Sequence, residues 1–203
     1  MSRREQERNF RQELILRAAA RLLEERSADA VTMEDIAREA EIGKGTLYQY
    51  FSSKDDLLAH LLCRQLEETA RQVQERCLGQ GDGSTTVKEL VALHYRLYRR
   101  HARVFLDLLR RQLDGTLEPG VFNRLRDSHR HYASVATAVL AQPAVQECLV
   151  DRNPARMTRV LTNIVKGFVI GELESNETEP PADNLALLQR VVEGGIIVRE
   201  KRG

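Results

Sequence analysis

Residues 32–51 read Thr32-Met33-Glu34-Asp35-Ile36-Ala37-Arg38-Glu39-Ala40-Glu41-Ile42-Gly43-Lys44-Gly45-Thr46-Leu47-Tyr48-Gln49-Tyr50-Phe51, and this stretch decides the fold. Thr32 is a good N-cap, and Asp35 stands where its carboxylate can reach back in a capping box. Ile36, Ala37 and Ala40 then share one face of the helix so begun. Glu41-Ile42-Gly43 makes a three-residue turn, after which a short helix is expected over 44–50. Two helices joined by such a turn, with small residues where they meet, are the minimum for a helix-turn-helix that reads DNA. Ala37 and Ala40 permit close approach, while Ile42, Leu47 and Phe51 fill the space beneath. The outward residues Lys44, Thr46, Tyr48, Gln49 and Tyr50 offer a cation, hydroxyls and an amide, the groups that bond phosphates and base edges. A blander reading stands beside this one: a solvated surface helix with Tyr48 and Tyr50 half-buried.

Upstream, Phe10, Leu14, Ala18 and Leu22 recur every four residues, with Ile15, Ala19 and Leu23 widening the stripe, so a helix is expected over 6–26. Downstream, Ser53 and Asp56 cap a long helix over 54–77 striped by Leu57, Leu58, Leu61, Leu62, Leu66, Ala70 and Val73. Three glycines between Gly79 and Ser84 suit a loop. Thr86 with Glu89 reads as a capping box that opens a helix over 86–100, followed by another over 102–113. Pro119 starts a helix reaching residue 142, and Asn153-Pro154 opens one ending near 175. A last helix is expected over 182–201. The chain is therefore read as all-α, with about nine helices.

Composition narrows the function. The 203 residues are 42% hydrophobic and 30% charged, with 12 Gly and 5 Pro, which fits a helical globular protein. The net charge of +1 does not point to a partner, because a neutral total can hide a basic face. No stretch approaches the roughly 18 apolar residues of a membrane span, and the N-terminus has no signal core, so no membrane partner is expected. Cys63, Cys77 and Cys148 have no paired spacing, as in a reducing cytoplasm. No Gly-rich phosphate loop, nucleophile elbow or paired-His metal motif occurs, so neither an enzyme nor a cofactor is expected. His60 with Cys63 is too small a set for zinc, and His129 and His131 face different ways on a helix, so no metal site is expected either.

The run Val31-Thr32-Met33-Glu34-Asp35-Ile36-Ala37-Arg38-Glu39-Ala40, then Gly43-Lys44-Gly45-Thr46-Leu47-Tyr48-Gln49-Tyr50-Phe51, then Ser53-Lys54-Asp55-Asp56-Leu57-Leu58, closely resembles the TetR family of bacterial regulators. Ile15-Leu16-Arg17-Ala18-Ala19 fits the family's first helix. The resemblance covers the first sixty residues or so and fades beyond them. It implies a helix-turn-helix DNA-binding domain over 1–53 and a helical ligand-binding and dimerisation domain over 54–203, with helix 54–77 joining them. It further implies that Thr32, Lys44, Thr46, Tyr48, Tyr50 and Lys54 meet the DNA backbone, and that Gly45 and Gln49 face base edges. Two departures stand out. Glu41 occupies a position where the family usually has Gly, so a side-chain-bearing residue is expected in the left-handed region, at a cost of about 1 kcal/mol. Gly43 replaces the usual Ser-like cap, which costs only a few tenths of a kcal/mol. Glu34 lies near the DNA side, where it either reads a cytosine amino group or turns away. Arg3, Arg4, Arg8 and Arg11 form either an arm for a minor groove or an exposed helix of mixed charge.

In the second half, the helices over 154–175 and 182–201 carry two apolar stripes each and need two neighbours. One stripe is expected in the chain's own core and the other against a second copy, with Ile164, Gly167, Gly171, Leu188, Val192 and Gly195 at the interface of a homodimer. The second stripe of the last helix is Leu187, Val191 and Val198. The helices between resemble, in number and length, the family's ligand-binding part. The resemblance thus implies a pocket for a small, largely apolar effector, lined by Leu93, Leu97, Tyr98, Phe105, Leu109, Phe122, Leu125, Tyr132 and Phe168. The expected partners are double-stranded operator DNA, that effector and a second copy, with transcriptional repression as the default output, since an activator would show the same helix-turn-helix. A helical dimer that binds protein rather than DNA is the alternative, and an enzyme is a weaker one.

Overall fold

The computed structural model describes residues 2–79, 81–174 and 183–197. Within them lie nine α-helices: α1 (Arg3–Glu25), α2 (Met33–Glu39), α3 (Lys44–Tyr48), α4 (Lys54–Cys77), α5 (Gly83–Leu113), α6 (Pro119–Leu140), α7 (Pro143–Cys148), α8 (Pro154–Glu174) and α9 (Asn184–Gly195). The protein is all-α, an N-terminal helix-turn-helix followed by a helical C-terminal part. No helix among the described residues is long and apolar enough to cross a membrane.

The chain divides into two compact units that do not follow chain order. One comprises Met1–Arg64 with Arg103–Arg126, the other Gln65–Ala102 with Asp127–Gly203. In the first unit, Ile15, Leu16, Ile36, Leu47, Phe51, Leu57 and Leu61 form one core. Ala28, Leu58, Leu62, Val104, Leu108 and Val121 form another. In the second unit a larger core gathers Val73, Leu90, Leu93, Tyr132, Val139, Leu161, Val165, Leu188 and Val192.

Several expectations change. Helix α1 starts at Arg3, where Ser2 and Glu5 form a capping box. Its buried face is Ile15, Leu16, Ala18 and Ala19, whereas Phe10 is 64% exposed and Leu14 42%. The four-residue stripe drifts around a helix of 3.6 residues per turn, so its N-terminal members leave the core. The break expected near residue 101 is absent. Helix α5 runs for 31 residues because 84–114 contain no Gly or Pro, and His101, Ala102 and Val104 are buried along it. It ends at Gly115, whose φ of 70° suits a residue without a side chain.

The cap of α5 also moves. Asp82 accepts the Thr85 N–H at 3.0 Å, while Thr86 is buried one turn inside the helix. Gly83 starts the helix because α7 leaves no space for more: a Cβ there would lie 2.1 Å from the Ala144 carbonyl oxygen. Pro143, expected to lie just beyond the end of a longer helix, instead begins the separate helix α7. The last helix is described over Asn184–Gly195; the rest of the expected 182–201 span, Val198 included, lies outside the described residues.

Candidate nucleic-acid interface

The helix-turn-helix is assembled as its local chemistry requires. Thr32 Oγ1 accepts the Asp35 N–H at 3.1 Å, and Asp35 Oδ2 accepts the Thr32 N–H at 3.0 Å, which closes the capping box of α2. The Thr32 bonds, then Arg26 and Arg38, hold the Asp35 carboxyl below its usual range. At the turn, Glu41 adopts φ 55°, the left-handed conformation expected from the missing Gly. Ile42 N–H then returns to the Ala37 carbonyl at 2.9 Å and fixes the turn. Gly43 precedes α3 with extended backbone and supplies no side-chain cap.

Helix α3 is shorter than expected, ending at Tyr48 rather than Tyr50. Its last turn tightens, with Gln49 N–H on Thr46 O at 3.1 Å and Tyr50 N–H on Leu47 O at 3.0 Å. Leu47 and Phe51 are fully buried and root the helix in the core of the first unit. Around that anchor Lys44, Gly45, Tyr48 and Gln49 are exposed, and Thr46 is half-buried. Tyr48, at 46% exposure, is the large aromatic that α3 offers to solvent. Tyr50 differs, since its ring packs against the core. Thr32 is exposed at the start of α2, and Lys54 is half-buried at the start of α4.

Glu34 is the neighbour that sequence reasoning left unplaced. Its Oε2 lies 3.7 Å from Lys44 Nζ, both groups being largely exposed. Such a surface pair adds little stability, about 0–1 kcal/mol, but it moderates the charge that Lys44 offers a phosphate. Arg3, Arg4, Arg8 and Arg11 all lie exposed on α1, with Arg3 3.4 Å from Glu7, so they belong to a helix of mixed charge rather than an extended arm.

The residues expected to line a pocket separate into different cores. Leu93, Leu97, Tyr98, Tyr132 and Phe168 belong to the second unit's core or pack against it. Phe105, Phe122 and Leu125 pack in the first unit, and Leu109 is on the surface. The second unit also holds a polar group of which the sequence reading placed only Tyr98 and Tyr132 near a pocket: it consists of His94, Tyr98, His129, Tyr132, Thr162 and Lys166. His94 Nδ1–H donates to Leu90 O at 2.9 Å, leaving Nε2 to accept from Thr162 Oγ1 at 3.4 Å. Burial, offset in part by the Leu90 bond and reinforced by His129 and Lys166, lowers the His94 pKa to about 4. Burial and then Lys166 lower His129 to about 4 as well. The Tyr132 hydroxyl is buried without any hydrogen-bond partner, a situation that costs about 1–3 kcal/mol.

The expected interface residues divide too. Leu188 and Val192 lie inside the second unit's core and cannot serve an interface, because α9 turns that stripe inward. The outward stripe is Leu187 and Val191, 41% and 55% exposed. On α8, Val160, Gly167 and Gly171 are exposed and Ile164 is half-buried; these four positions recur at one-face helical spacing. A Cβ at Gly167, Gly171 or Gly195 would meet nothing within 4 Å. Among the described residues no three or more His, Cys, Asp or Glu are grouped so as to hold a metal ion.

A helix-turn-helix with a polar, exposed second helix is an arrangement that can enter a DNA groove, and here it precedes a helical C-terminal part. The profile described as "Bacterial regulatory proteins, tetR family" matches residues 15–61. The chain is 31% identical over 94 residues to the uncharacterized HTH-type transcriptional regulator YvdT of Bacillus subtilis, covering 46% of this chain and 48% of that protein. That match thus spans about half the relative's length. It is 24% identical over 184 residues to the HTH-type transcriptional regulator UidR of Escherichia coli K12, covering 90% of this chain and 91% of that one. A transcriptional-regulator structure from Saccharomonospora viridis, in complex with choline, shares the fold with a TM-score of 0.72 at 21% identity, covering 93% of this chain and 98% of that one. The chain is thus similar to TetR-family transcriptional regulators, through the profile matched over residues 15–61 and through relatives named HTH-type transcriptional regulators.

Proposed function

We propose that this chain is a transcriptional repressor that binds a pseudo-palindromic operator as a homodimer and answers to a small, largely apolar effector. Residues 1–53 act as the reading head, residues 54–203 as the effector-binding and dimerising part, and α4 joins the two functions. The observation that carries the reading is α3 itself. Lys44, Gly45, Tyr48 and Gln49 stand exposed on a helix anchored by the buried Leu47 and Phe51, which is how a recognition helix must present its side chains to a major groove. In this reading Thr32, Lys44, Thr46, Tyr48, Tyr50 and Lys54 hold the DNA backbone, and Gly45 and Gln49 face base edges.

The homodimer reading is supported by the apolar outward face of α8 and α9. Val160, Ile164, Gly167 and Gly171 face a second copy together with Leu187, Val191 and Gly195. The effector reading is supported by the unpartnered Tyr132 hydroxyl within the Leu93, Leu97, Tyr98 and Phe168 core, and by the choline held by a regulator of the same fold. Selection of bound duplexes from random DNA tests the whole. The expected product is an inverted repeat whose half-sites lie about 34 Å or somewhat more apart. Gln49→Ala should relax base preference in each half-site. Recovery of no consensus, or of one that Gln49→Ala and Gly45→Ala leave unchanged, would set this reading aside.

A further inference from the structure

The chain leaves α3 through a joint whose parts all lie in the first unit. The N–H groups of Gln49, Tyr50 and Phe51 bond back to Thr46 and Leu47 of α3. The next N–H, that of Ser52, bonds forward instead, to Asp56 Oδ2 on α4 at 3.0 Å. Residues 49–52 belong to neither helix. This forward bond and the buried Phe51 therefore decide how α3 is carried on α4.

Arg124 of α6 holds both parts of the joint. Its Nη1 donates to the other oxygen of the same carboxylate, Asp56 Oδ1, at 2.6 Å. It also lies 2.7 and 3.0 Å from the two ring nitrogens of His60. His60 Nδ1–H donates to the Asp56 carbonyl at 2.8 Å, which leaves Nε2 as the acceptor for Arg124. The His60 ring stands edge-on to the Phe51 ring, 5.1 Å between centres. One guanidinium thus fixes the rotation of the carboxylate that holds Ser52 and of the ring that backs Phe51. Asp56 is buried, where a carboxylate without partners is costly, so these bonds set its orientation. Arg111 offers a contrast within the same unit. It reaches Asp107, Asp55 and Asp29 at 3.2, 3.5 and 3.6 Å, and those partners all lie outside 49–53.

We propose that Arg124 is a positioning residue of the DNA-reading surface. Through Asp56 and His60 it fixes Ser52 and Phe51, and so the angle at which α3 meets DNA, without touching DNA itself. This rests on the reading of α3 as the recognition helix.

Three measurements on the full-length protein test it: affinity for a selected operator duplex, the salt dependence of that affinity, and amide exchange across 49–53. Binding is read well below the melting temperature, so that loss of folded protein does not enter. Arg124→Met should weaken operator binding about tenfold, the scale of one charged hydrogen bond. The salt slope should stay as in the wild type, because no phosphate contact is lost. Amides of 49–53 should exchange faster. Arg124→Lys, which keeps a donor for Asp56, should restore most of the affinity and of the protection. Arg111→Met should lower stability while leaving operator affinity and exchange across 49–53 unchanged. If Arg124→Met does not fold, Arg124→Gln carries the same test. Operator affinity within about twofold of wild type in the folded Arg124 variant overturns the inference. An equal loss in Arg111→Met overturns it as well, as does a salt slope made shallower as by Lys44→Ala. A wild type without salt-dependent duplex binding removes the DNA-binding reading and this inference with it. Wild-type binding that Lys44→Ala weakens and Arg124→Met does not removes the inference alone.

Discussion

Arg124 donates an N–H to Asp56 at 2.6 Å, from α6 to the first turn of α4. The same carboxylate accepts the Ser52 N–H at 3.0 Å, immediately after the residue that anchors α3. Burial raises the Asp56 carboxyl, but the Arg124 and Ser52 bonds outweigh it, with His60 and the Arg124 charge adding to them, and hold it below its usual range. Arg124→Met removes the strongest partner of a buried carboxylate, and the expected loss is about 1–3 kcal/mol. Asp56→Asn keeps an acceptor for Ser52 and should cost less than Asp56→Ala. Urea unfolding at neutral pH measures all three.

The left-handed Glu41 makes a second prediction. A φ of 55° costs a side-chain-bearing residue about 1 kcal/mol that glycine does not incur. Glu41→Gly should therefore stabilise the protein by up to about 1 kcal/mol, less the entropy a glycine adds to the unfolded chain. For a chain of this size that is a rise of about 2–4 °C in Tm. DNA affinity should not change, since Glu41 is no part of the proposed contact set.

His94 sets an acid limit. Its pKa is about 4 in the folded protein against 6.5 when free. Because the folded value is depressed, the stability it confers is present above about pH 6.5 and is lost as pH falls towards 4. The full loss from this one buried ring is about 3 kcal/mol. Melting temperatures of the wild type should fall between pH 7 and pH 5, above the range where carboxylates protonate. Replacing His94 with Gln should make that slope shallower by about half, because His129 is depressed in the same way and still contributes.

Adjacent residues on α9 should behave in opposite ways. Val192 is buried in the second unit's core and Val191 is 55% exposed. Val192→Glu places a charge in the core and should unfold the protein. Val191→Glu should leave melting of the monomer close to normal while abolishing the proposed dimer. Sedimentation at micromolar concentration separates the two. A dimer that survives both Val191→Glu and Gly171→Glu would place the interface elsewhere.

The fold was legible where local rules act alone. The Thr32–Asp35 capping box, the bounds of α4, the Asn153 cap of α8 and the strained Glu41 all follow from neighbours in sequence. Legibility failed where tertiary packing decides. Helices over 86–100 and 102–113 are expected from sequence to be separate, yet buried His101 and Ala102 keep α5 continuous. Two apolar stripes on α9 are equivalent in sequence, and only packing shows that Leu188 and Val192 turn inward. The polar group of the second unit combines residues up to 72 positions apart, from His94 to Lys166, so spacing gives no signal for it. Exposure of Lys44, Gly45, Tyr48 and Gln49 agrees with the pattern of the recognition helix. Tyr50 departs from it in being half-buried, with its ring against the core.

The salt dependence of binding to a selected operator duplex tests the central claim most directly. If α3 and the start of α4 grip phosphates, the logarithm of affinity falls linearly with the logarithm of salt concentration. Lys44→Ala and Lys54→Ala should each weaken binding and make the slope shallower by about two, one phosphate contact per protomer. Tyr48→Ala should weaken binding to all sequences alike. An affinity insensitive to salt, or a slope that neither lysine substitution changes, would contradict the assignment of this surface as the DNA-reading face.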